Sequence, residues 1–587
     1  MDSRQNELLA HAREFLASEK YRPKFSEIEV GVLKPFFTNS DGRVFFVHSL
    51  PEAVVDVLLS MYSRMKNKRG LRGMFVDAFL PQFLASSLRE TAEGFSGEAE
   101  KFLKYYKITT LQDYVDYSEE TRKSLREFVG ALAIDPEYIQ KFSSGPKIKK
   151  FLSMWLDKYG HNSIARMAKL SLCCENISIL AAKSLEWTRP GAGYIELSTR
   201  YVDMSGRDMY PVHEELAEFG VNREQVLDEM NYAFEQYRNF QGENFSGPFP
   251  QFLRDKYGKM FDEKDLESGV IGETCDVLGN FLPCATLTSV GVAVSGEAFP
   301  QLLKHLILDN TPENFVLAEM ILKEAAKIGG DQFSRHYDPT EWERTSWNYL
   351  RFNAFDLWWP GPEANRRRFV LDSLSGIEDR SFLVPRLIAE NILLPSFRGQ
   401  QSYMLDCWED VVSNIRGLDR KEFDKLPNHF EGVSAIFRGN MSFRGWRDLH
   451  RQQLATHYRT FVMPHLGFYR YDKSAPEAFR GACQHIWEKN YELAGKMDDK
   501  NVPEEIIQYP LVMGNLIGFQ FGANLAEIEF CSWQRTKFSV NHEVRQIFIG
   551  MERALRKEYP WWASLSRADM TPAYVFARTK EGVLLNI

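Results

Sequence analysis

The segment 186–203, EWTRPGAGYIELSTRYVD, concentrates residue types that could hold a nucleotide. Glu196, Ser198 and Arg200 occur at every second position, so an extended backbone would direct all three side chains the same way. An arginine fork beside a hydroxyl suits a phosphate, and a carboxylate can accept ribose hydroxyls. The pattern is typical of an anion and sugar clamp. A solvated strand with a contact between arginine and glutamate is the alternative explanation.

A second set of polar residues lies in the segment 443–459, FRGWRDLHRQQLATHYR. Several cationic or protonatable side chains fall within about two helical turns, namely Arg444, Arg447, His450 and Arg451. Such a face suits the pyrophosphate of a dinucleotide or a flavin. An exposed basic helix paired with Asp448 is the alternative. His450 and His457 have no cysteine or carboxylate at the spacing of metal ligands, so no metal site is predicted.

Hydrophobic periodicity predicts the elements that would position these residues. Apolar residues at three- and four-residue spacing predict helices at 51–66, 121–132, 163–187, 312–327, 382–393, 446–460, 475–496 and 516–535. Runs rich in β-branched and aromatic residues predict strands at 28–33, 44–47, 170–173, 434–437 and 574–576. The strand at 170–173 overlaps a predicted helix, and the period alone does not decide between them. Glycine and proline predict loops at 242–250 and 359–362.

The composition bounds the class of protein. The chain has 587 residues, of which 44% are hydrophobic and 26% charged, which excludes collagen-like and largely disordered proteins. Its net charge of -8 disfavours a protein whose main task is to neutralise a nucleic-acid polymer. The 7 cysteines include no Cys-x-x-Cys pair, and no apolar stretch is long enough to span a membrane. A cytoplasmic protein with reduced thiols is expected.

An internal repeat is also indicated. When the second part of the chain is laid over the first so that Ser178 falls on Ser442, both following stretches have helical character. Identity between the two parts is low, so the repeat rests on pattern. The pattern therefore predicts a helix-rich chain in two related parts with a boundary at about 342–362; the resemblance described next implies an α+β fold with small mixed or antiparallel sheets and the division 1–340 and 341–587.

Several motifs together resemble the flavin-dependent thymidylate synthases, and most closely their long, tandem-repeat form. The motifs are GHNS at 160–163, ELSTRYV at 196–202, RDLHR at 447–451 and NLAEIEFCSWQR at 524–535. Segments 39–65, 275–303 and 427–469 are also similar to that form. The resemblance implies two related modules in tandem. Residues 1–340 would carry the Ser-Thr-Arg-Tyr loop, and residues 341–587 the arginine-rich helix and the late site helix.

The resemblance implies an FAD enzyme that moves a one-carbon unit from methylenetetrahydrofolate to C5 of a pyrimidine nucleotide, with hydride supplied by NADPH. It implies a homodimer, because the single-module members form tetramers and two tandem chains supply four modules. No nucleic-acid polymer or membrane is an expected partner. Two alternatives remain: a flavoenzyme recruited to another acceptor in specialised metabolism, and a nucleotide-binding scaffold without catalytic activity.

Residue roles also follow from the resemblance. It assigns Ser198, Arg200 and Arg451 to catalysis. The expected nucleotide contacts are Glu196, Ser198, Arg200, Tyr201 and Arg535. The expected flavin contacts are Arg447, His450, Arg451, Gln452, Gln453 and Asn524.

The chain departs from the family pattern at several of these positions. Gln452 and Gln453 stand where the family has histidine and arginine, and Phe530 stands where a polar flavin contact is usual. Arg166 replaces a common glutamate. Loss of one charge-assisted contact costs about 1.5 to 3 kcal/mol. The neighbouring arginines, which are Arg444, Arg447 and Arg459, could compensate.

Overall fold

A computed structural model describes residues 3–76, 165–347 and 412–571, and the short strands at 386–388, 574–575 and 582–583. Positions left out within the longer ranges are 35, 50–54, 56–57, 60–61, 63–66, 167, 187–189, 201, 329, 335, 422–423, 433 and 538–539. Most of the predicted helix at 51–66 lies outside the described residues. So do the helix at 121–132, the turn at 160–163, the loop at 359–362 and Tyr201.

The α-helices of the described residues are numbered in chain order. They are α1 (Ser3–Ala17), α2 (Glu27–Leu33), α3 (Gly70–Met74), α4 (Ile179–Leu185), α5 (Val212–Ala217), α6 (Arg223–Gln241), α7 (Pro248–Tyr257), α8 (Glu263–Leu278), α9 (Phe299–Leu308), α10 (Pro312–Lys327), α11 (Phe443–Leu449), α12 (Glu477–Asp499), α13 (Glu504–Ile507), α14 (Leu525–Arg535) and α15 (His542–Glu558).

The strands form antiparallel pairs throughout the described residues. They are β1 (Val44–Val47), β2 (Lys169–Ser178), β3 (Ala192–Glu196), β4 (Leu287–Ser295), β5 (Arg386–Ile388), β6 (Ser434–Ser442), β7 (Thr456–Arg459), β8 (Leu516–Asn524), β9 (Tyr574–Val575) and β10 (Gly582–Val583). This confirms a helix-rich α+β fold with small antiparallel sheets.

The chain divides into two compact units. Unit 1 contains residues 1–211 and 286–342, and it holds a 4-stranded sheet in the order β1-β2-β4-β3. Helix α10 packs on α1 and β1, and α4 packs on α9. The central strand β2 is buried on both faces: Leu172 and Cys173, which point to opposite faces of the sheet, are both 0% exposed. The core of this unit therefore encloses its sheet.

Unit 2 contains residues 212–285 and 343–587, and its 4-stranded sheet has the order β5-β6-β8-β7. Helices α6, α7 and α8 pack on one another, and α6 packs on α12. These contacts explain why residues 212–285 group with this unit although they precede β4 in the chain. Helix α15 packs on α11 and α14, and Trp446 and Trp562 are fully buried.

Several predicted elements are confirmed. The helix predicted at 312–327 is α10, whose start is set by Thr311, a side chain that accepts from the backbone N of Asn314 at 3.2 Å. The strand at 44–47 is β1, and the strand at 434–437 is the first part of β6. The helix at 475–496 corresponds to α12. A helix-capping residue or a long, regular hydrophobic period allowed these elements to be predicted from the sequence.

Other predictions are wrong, and most of them are wrong because a predicted helix contains a junction between a strand and a helix. Three predicted helices, at 163–187, 446–460 and 516–535, each contain a strand–helix or helix–strand junction: β2 precedes α4, α11 precedes β7, and β8 precedes α14. A central strand buried on both faces is a continuous apolar run, which period alone does not separate from a buried helix. Strand β5 lies within the helix predicted at 382–393.

The segment predicted as a strand at 28–33 is helix α2. Ser26 and Glu29 form a capping box, in which the Ser26 side chain accepts from the backbone N of Glu29 and the Glu29 side chain accepts from the backbone N of Ser26. The capping box satisfies two backbone N–H groups, and this stabilisation of the helix outweighs the preference of its β-branched residues for a strand. The Ser-x-x-Glu signal was present in the sequence.

The helices in the described residues include no segment long and apolar enough to cross a membrane. The described cysteines, which are Cys173, Cys174, Cys275, Cys284, Cys483 and Cys531, are buried and free of disulfides. Burial raises the pKa of the Cys174 and Cys531 thiols well above the ordinary value. These thiols are therefore poor nucleophiles.

Candidate functional site

In unit 1, the Ser-Thr-Arg segment follows strand β3 and does not extend it. The strand ends at Glu196, and the backbone N of Val202 donates to the carbonyl of Ser198 at 3.1 Å. The Ser198 hydroxyl accepts from the backbone N of Arg200 at 3.2 Å. The expectation of an extended run with Glu196, Ser198 and Arg200 facing one way is therefore wrong. The residues after Glu196 form a turn that Ser198 closes with its own side chain.

Glu196 belongs to a buried charged triad that sequence analysis missed. Lys183 on α4 pairs with Glu186 and also with Glu196, where Nζ and Oε2 are 2.8 Å apart. All three side chains are at most 1% exposed. A buried charge requires a counter-charge, so the lysine and the two carboxylates depend on one another. The one signal in the sequence was a lysine inside the apolar helix ILAAKSL.

In unit 2, the arginine-rich segment begins on α11, whose start is held by a buried carboxylate. Ser442 caps the helix by accepting from the backbone N of Gly445 at 2.9 Å. Glu543 on α15 accepts from the backbone N and the hydroxyl of Ser442 at 2.6 and 2.5 Å. Burial raises the pKa of Glu543 to about 7, and the hydrogen bonds from Ser442 oppose that rise.

The Arg444 side chain is buried and does not face the solvent. Its guanidinium pairs with Asp276 of α8, with Nη1 and Oδ1 2.5 Å apart and both side chains no more than 3% exposed. Asn541 donates to the other carboxylate oxygen of Asp276 at 2.9 Å. This arginine therefore joins α8 to α11 inside unit 2 and is already neutralised by a carboxylate.

The next polar residues along α11 form an aromatic stack. His450 stacks on Trp446 with ring centroids 4.5 Å apart, and it meets His457 of β7 edge to face at 5.6 Å. Both histidines fall in the helix predicted at 446–460, but His457 reaches His450 from strand β7. Arg447 is buried beside them and has Nη1 3.4 Å from the Met513 sulfur. Arg451 is more open, with its side chain 43% exposed and Nε 4.0 Å from Asp448.

Gln452 and Arg535 lie in direct contact. With its amide oxygen turned toward Arg535, Gln452 accepts from Nε and Nη2 of that guanidinium, both at 3.0 Å. The same amide is 3.3 Å from the Cys531 sulfur on α14. Two residues that the resemblance assigned to the flavin and to the pyrimidine are thus neighbours.

Helix α14 supplies the rest of this neighbourhood. Asn524 caps the helix by accepting from the backbone N of Glu527 at 2.8 Å. Glu527 in turn accepts from the Cys531 thiol at 3.4 Å, and burial raises its pKa. The structure thus gives Asn524 a helix-capping role in addition to any ligand contact.

Arg459, the last residue of the edge strand β7, is held by hydrogen bonds and by two aromatic rings. Its Nη1 donates to the carbonyl of Thr460 and to Oε1 of Gln508, both at 3.0 Å. The guanidinium also lies over the rings of Phe443 and Trp446, with centroids at 5.0 and 5.3 Å. Sequence analysis named this arginine only as a compensating charge.

Comparison with known proteins finds one family model that matches part of the chain. Residues 113–328 match the family model described as thymidylate synthase complementing protein. This match agrees with the resemblance of the sequence motifs to the flavin-dependent thymidylate synthases. The matched residues include the triad of Lys183, Glu186 and Glu196 and the turn at Ser198 and Arg200.

Similar proteins are about as long as this one. A UPF0159 protein of Thermoplasma acidophilum is 24% identical over 466 residues, 73% of this chain and 90% of the relative. UPF0159 proteins of Chlamydia pneumoniae and Chlamydia muridarum are each 24% identical, and cover 90% and 92% of this chain and 92% and 94% of the relatives. These UPF0159 proteins thus match both units and not only residues 113–328.

Proposed function

We propose that the protein is a flavin-dependent thymidylate synthase-like enzyme that transfers a one-carbon unit to C5 of a pyrimidine nucleotide. The match of residues 113–328 to the thymidylate synthase complementing protein model supports the reaction class. The observation that carries the proposal is the contact between Gln452 and Arg535. Arg535 keeps the arginine of the late-helix motif, while Gln452 stands where the family has histidine, and the fold brings the two side chains within hydrogen-bond distance from distant parts of the chain.

The residues around α11 have the chemistry that a flavin requires. Arg447 and Arg451 are cations suited to phosphate, and His450 stacked on Trp446 offers a flat aromatic surface. We assign flavin contacts to these residues and to Gln452, Gln453 and Asn524. When bound, the flavin supplies hydride to the transferred carbon, with methylenetetrahydrofolate as the carbon donor and NADPH as the reductant.

This chain's own residues then have positioning and binding roles. Gln452 orients Arg535 toward the pyrimidine by accepting two hydrogen bonds from it. In unit 1 we assign Ser198, Arg200 and Tyr201 to the nucleotide. The carboxylate of Glu196 is held by Lys183, so its proposed contribution is to anchor the strand end that carries Ser198.

We also propose that the two units are related modules in tandem and that the protein is a homodimer. The equivalent strand orders of the two 4-stranded sheets support the modules. The division near residues 340 and 341 and the homodimer remain predictions. Light scattering coupled to gel filtration would measure the mass of the particle. A mass of one chain at micromolar concentration would contradict the dimer.

The decisive experiment is an absorption spectrum of the purified chain. We expect visible flavin bands, or a rise in melting temperature when FAD is added to colourless protein. Turnover of deoxyuridine monophosphate with methylenetetrahydrofolate and NADPH would then establish the reaction. Colourless protein whose spectrum and melting temperature do not respond to FAD would refute the proposal.

A substitution in unit 1 tests the nucleotide assignment. Arg200→Ala should weaken binding of deoxyuridine monophosphate by about 1.5 to 3 kcal/mol, because one charge-assisted phosphate contact is lost. Arg166→Ala is the control, since that side chain is 66% exposed and pairs with Glu297. Equal nucleotide affinity in the Arg200 variant and the control, measured by calorimetry, would refute the assignment.

A further inference from the structure

One side of helix α14 belongs to the candidate site. Glu527, Cys531 and Arg535 recur at every fourth position, so they lie along a single side of the helix. Cys531 and Arg535 both contact Gln452, which follows α11. We call this side of α14 the site face. The position of the site face depends on what holds the rest of the helix.

The opposite side of α14 is covered by residues 565–571, which we call the C-terminal strap. Glu529 and Thr536 are separated by about two helical turns, and the helical period places both of them opposite the site face. Both contact the strap. Arg567 pairs with Glu529, and the backbone N of Asp569 donates to Oγ1 of Thr536 at 2.9 Å. Helix α14 is therefore held from two sides.

Glu529 is a buried carboxylate that two arginines bind at the same time. Its side chain is 0% exposed, whereas those of Arg567 and Arg420 are 17% and 21% exposed. Arg567 donates from Nε to Oε1 at 2.9 Å and from Nη2 to Oε2 at 3.0 Å. Arg420 donates from Nη1 to Oε1 at 3.4 Å and from Nη2 to Oε2 at 3.0 Å. Because each arginine uses two donors, the carboxylate fixes the orientation of both guanidiniums.

The same two arginines join the C-terminal strap to the part of the chain that carries Arg420. Nη1 of Arg420 donates to the carbonyl of Leu565, the first residue of the strap, at 3.0 Å. Nη1 of Arg567, within the strap, donates to the carbonyl of Lys421 at 3.1 Å. Each arginine thus binds the segment of the other as well as Glu529. A change at Glu529 therefore affects both segments together.

We propose that the C-terminal strap positions Arg535 and that Glu529 anchors the strap to α14. The strap and Gln452 contact opposite sides of the same helix, so Arg535 keeps its place only while both contacts persist. Glu529 lies on the side away from the site face, which makes it a positioning residue. The inference rests on the proposed function for the nucleotide that Arg535 would meet. The anchoring itself is argued from the contacts of Glu529.

The anchoring is tested by hydrogen exchange of the full chain, measured by mass spectrometry. Glu529→Gln removes the charge that both arginines share, so amide exchange at 529–536 and 565–571 should become about tenfold faster or more. Strands β6 and β8 should exchange as in the wild type. The matched control is Glu267→Gln, which breaks a comparable fork with Arg254 at 2.7 and 2.8 Å and should leave these segments unchanged. Wild-type exchange at 529–536 and 565–571 in Glu529→Gln would overturn the inference.

A double-mutant cycle separates positioning of Arg535 from a general loss of structure. Calorimetry measures the binding of deoxyuridine monophosphate to the FAD-loaded chain. Glu529→Gln should weaken binding about tenfold, as expected when a charge-assisted contact is lost. In an Arg535→Gln background the Glu529 change should have no further effect, because the group that it positions is absent. Equal losses of affinity in both backgrounds would show an effect unrelated to Arg535 and would refute the positioning role.

A milder variant covers the case in which Glu529→Gln does not fold. Arg420→Gln removes one of the two forks and leaves Arg567 paired with Glu529, so the buried carboxylate keeps a counter-charge. It should speed exchange at 565–571 by a smaller factor, and wild-type exchange there would contradict the anchoring. Wild-type protein that binds neither FAD nor deoxyuridine monophosphate would refute the proposed function, whereas hydrogen exchange at 529–536 decides the anchoring in either case.

Discussion

Glu543 holds Ser442 by both of its donor groups, the backbone N–H at 2.6 Å and the hydroxyl at 2.5 Å. The pair lies at the start of α11, so it sets where the following arginines and His450 are placed. Unit 1 repeats the arrangement with Glu313 and Ser178, at 2.8 and 2.6 Å. A carboxylate that fixes a strand–helix junction is thus a shared feature of both units.

The first prediction concerns the pH dependence of stability. Burial raises the pKa of Glu543 from 4.5 to about 7, so between these values the native state keeps a proton that the unfolded state has lost. The free energy of unfolding should therefore fall as pH rises through this window, by at most about 1.4 kcal/mol per pH unit from this group. Glu543→Gln should remove that slope in urea denaturation series.

Glu267→Gln is the control for that series. Its hydrogen bond with Arg254 lowers the pKa of Glu267 below 4.5, so its titration lies outside the window. A slope that is the same in wild type and Glu543→Gln would show that Glu543 is ionised throughout.

The second prediction concerns the buried pair of Asp276 and Arg444. Asp276→Asn should destabilise the protein by about 3 to 5 kcal/mol, because it leaves a buried guanidinium without its counter-charge. The double variant Asp276→Leu, Arg444→Met should lose less than the single variant, since both charges are gone. Urea denaturation measures both.

The comparison pair for that prediction is exposed. Arg166 and Glu297 have side chains 66% and 33% exposed, and Glu297→Gln should cost under about 1 kcal/mol. A loss in Asp276→Asn no larger than in Glu297→Gln would contradict the buried ion pair.

The third prediction concerns a close approach at Gly445. A Cβ there would lie 2.5 Å from Oε2 of Glu543, an atom already fixed by Ser442. Gly445→Ala should therefore destabilise the protein by about 1 to 3 kcal/mol. Gly495→Ala, in the middle of α12 with nothing within 4 Å of the new Cβ, should instead stabilise it by roughly 0.4 to 1 kcal/mol. Thermal unfolding of both variants distinguishes packing from helix propensity.

The fourth prediction concerns the cation that the family pattern has and this chain lacks. Gln453→Arg should tighten FAD binding by about 1.5 to 3 kcal/mol if the missing charge limits affinity. Gln484→Arg adds the same charge on α12 and should leave FAD affinity unchanged. If both variants bind FAD as the wild type does, the neighbouring arginines already replace the lost charge.

Elements marked by local signals were predictable. Thr311 and Pro312 mark the start of α10, and the run VFFV of branched and aromatic residues indicates β1. The resemblance carried by short runs such as ELSTRYV agrees with the family model that matches residues 113–328. The strand–helix junctions at Ser178 and Asn524 were missed, since an apolar run gives no period at the point where a buried strand becomes a helix.

The amino-acid sequence by itself determined the α+β class and the resemblance to the flavin-dependent thymidylate synthases, because these depend on residue type and short-range spacing. Tertiary structure decided which charges are already neutralised inside the protein. Lys183 meets Glu196, Arg444 meets Asp276, and Gln452 meets Arg535 only after strands and helices distant in sequence have packed together. The strength of an ion pair depends on the distance between the two charges and on their burial, and neither quantity can be inferred from the sequence alone.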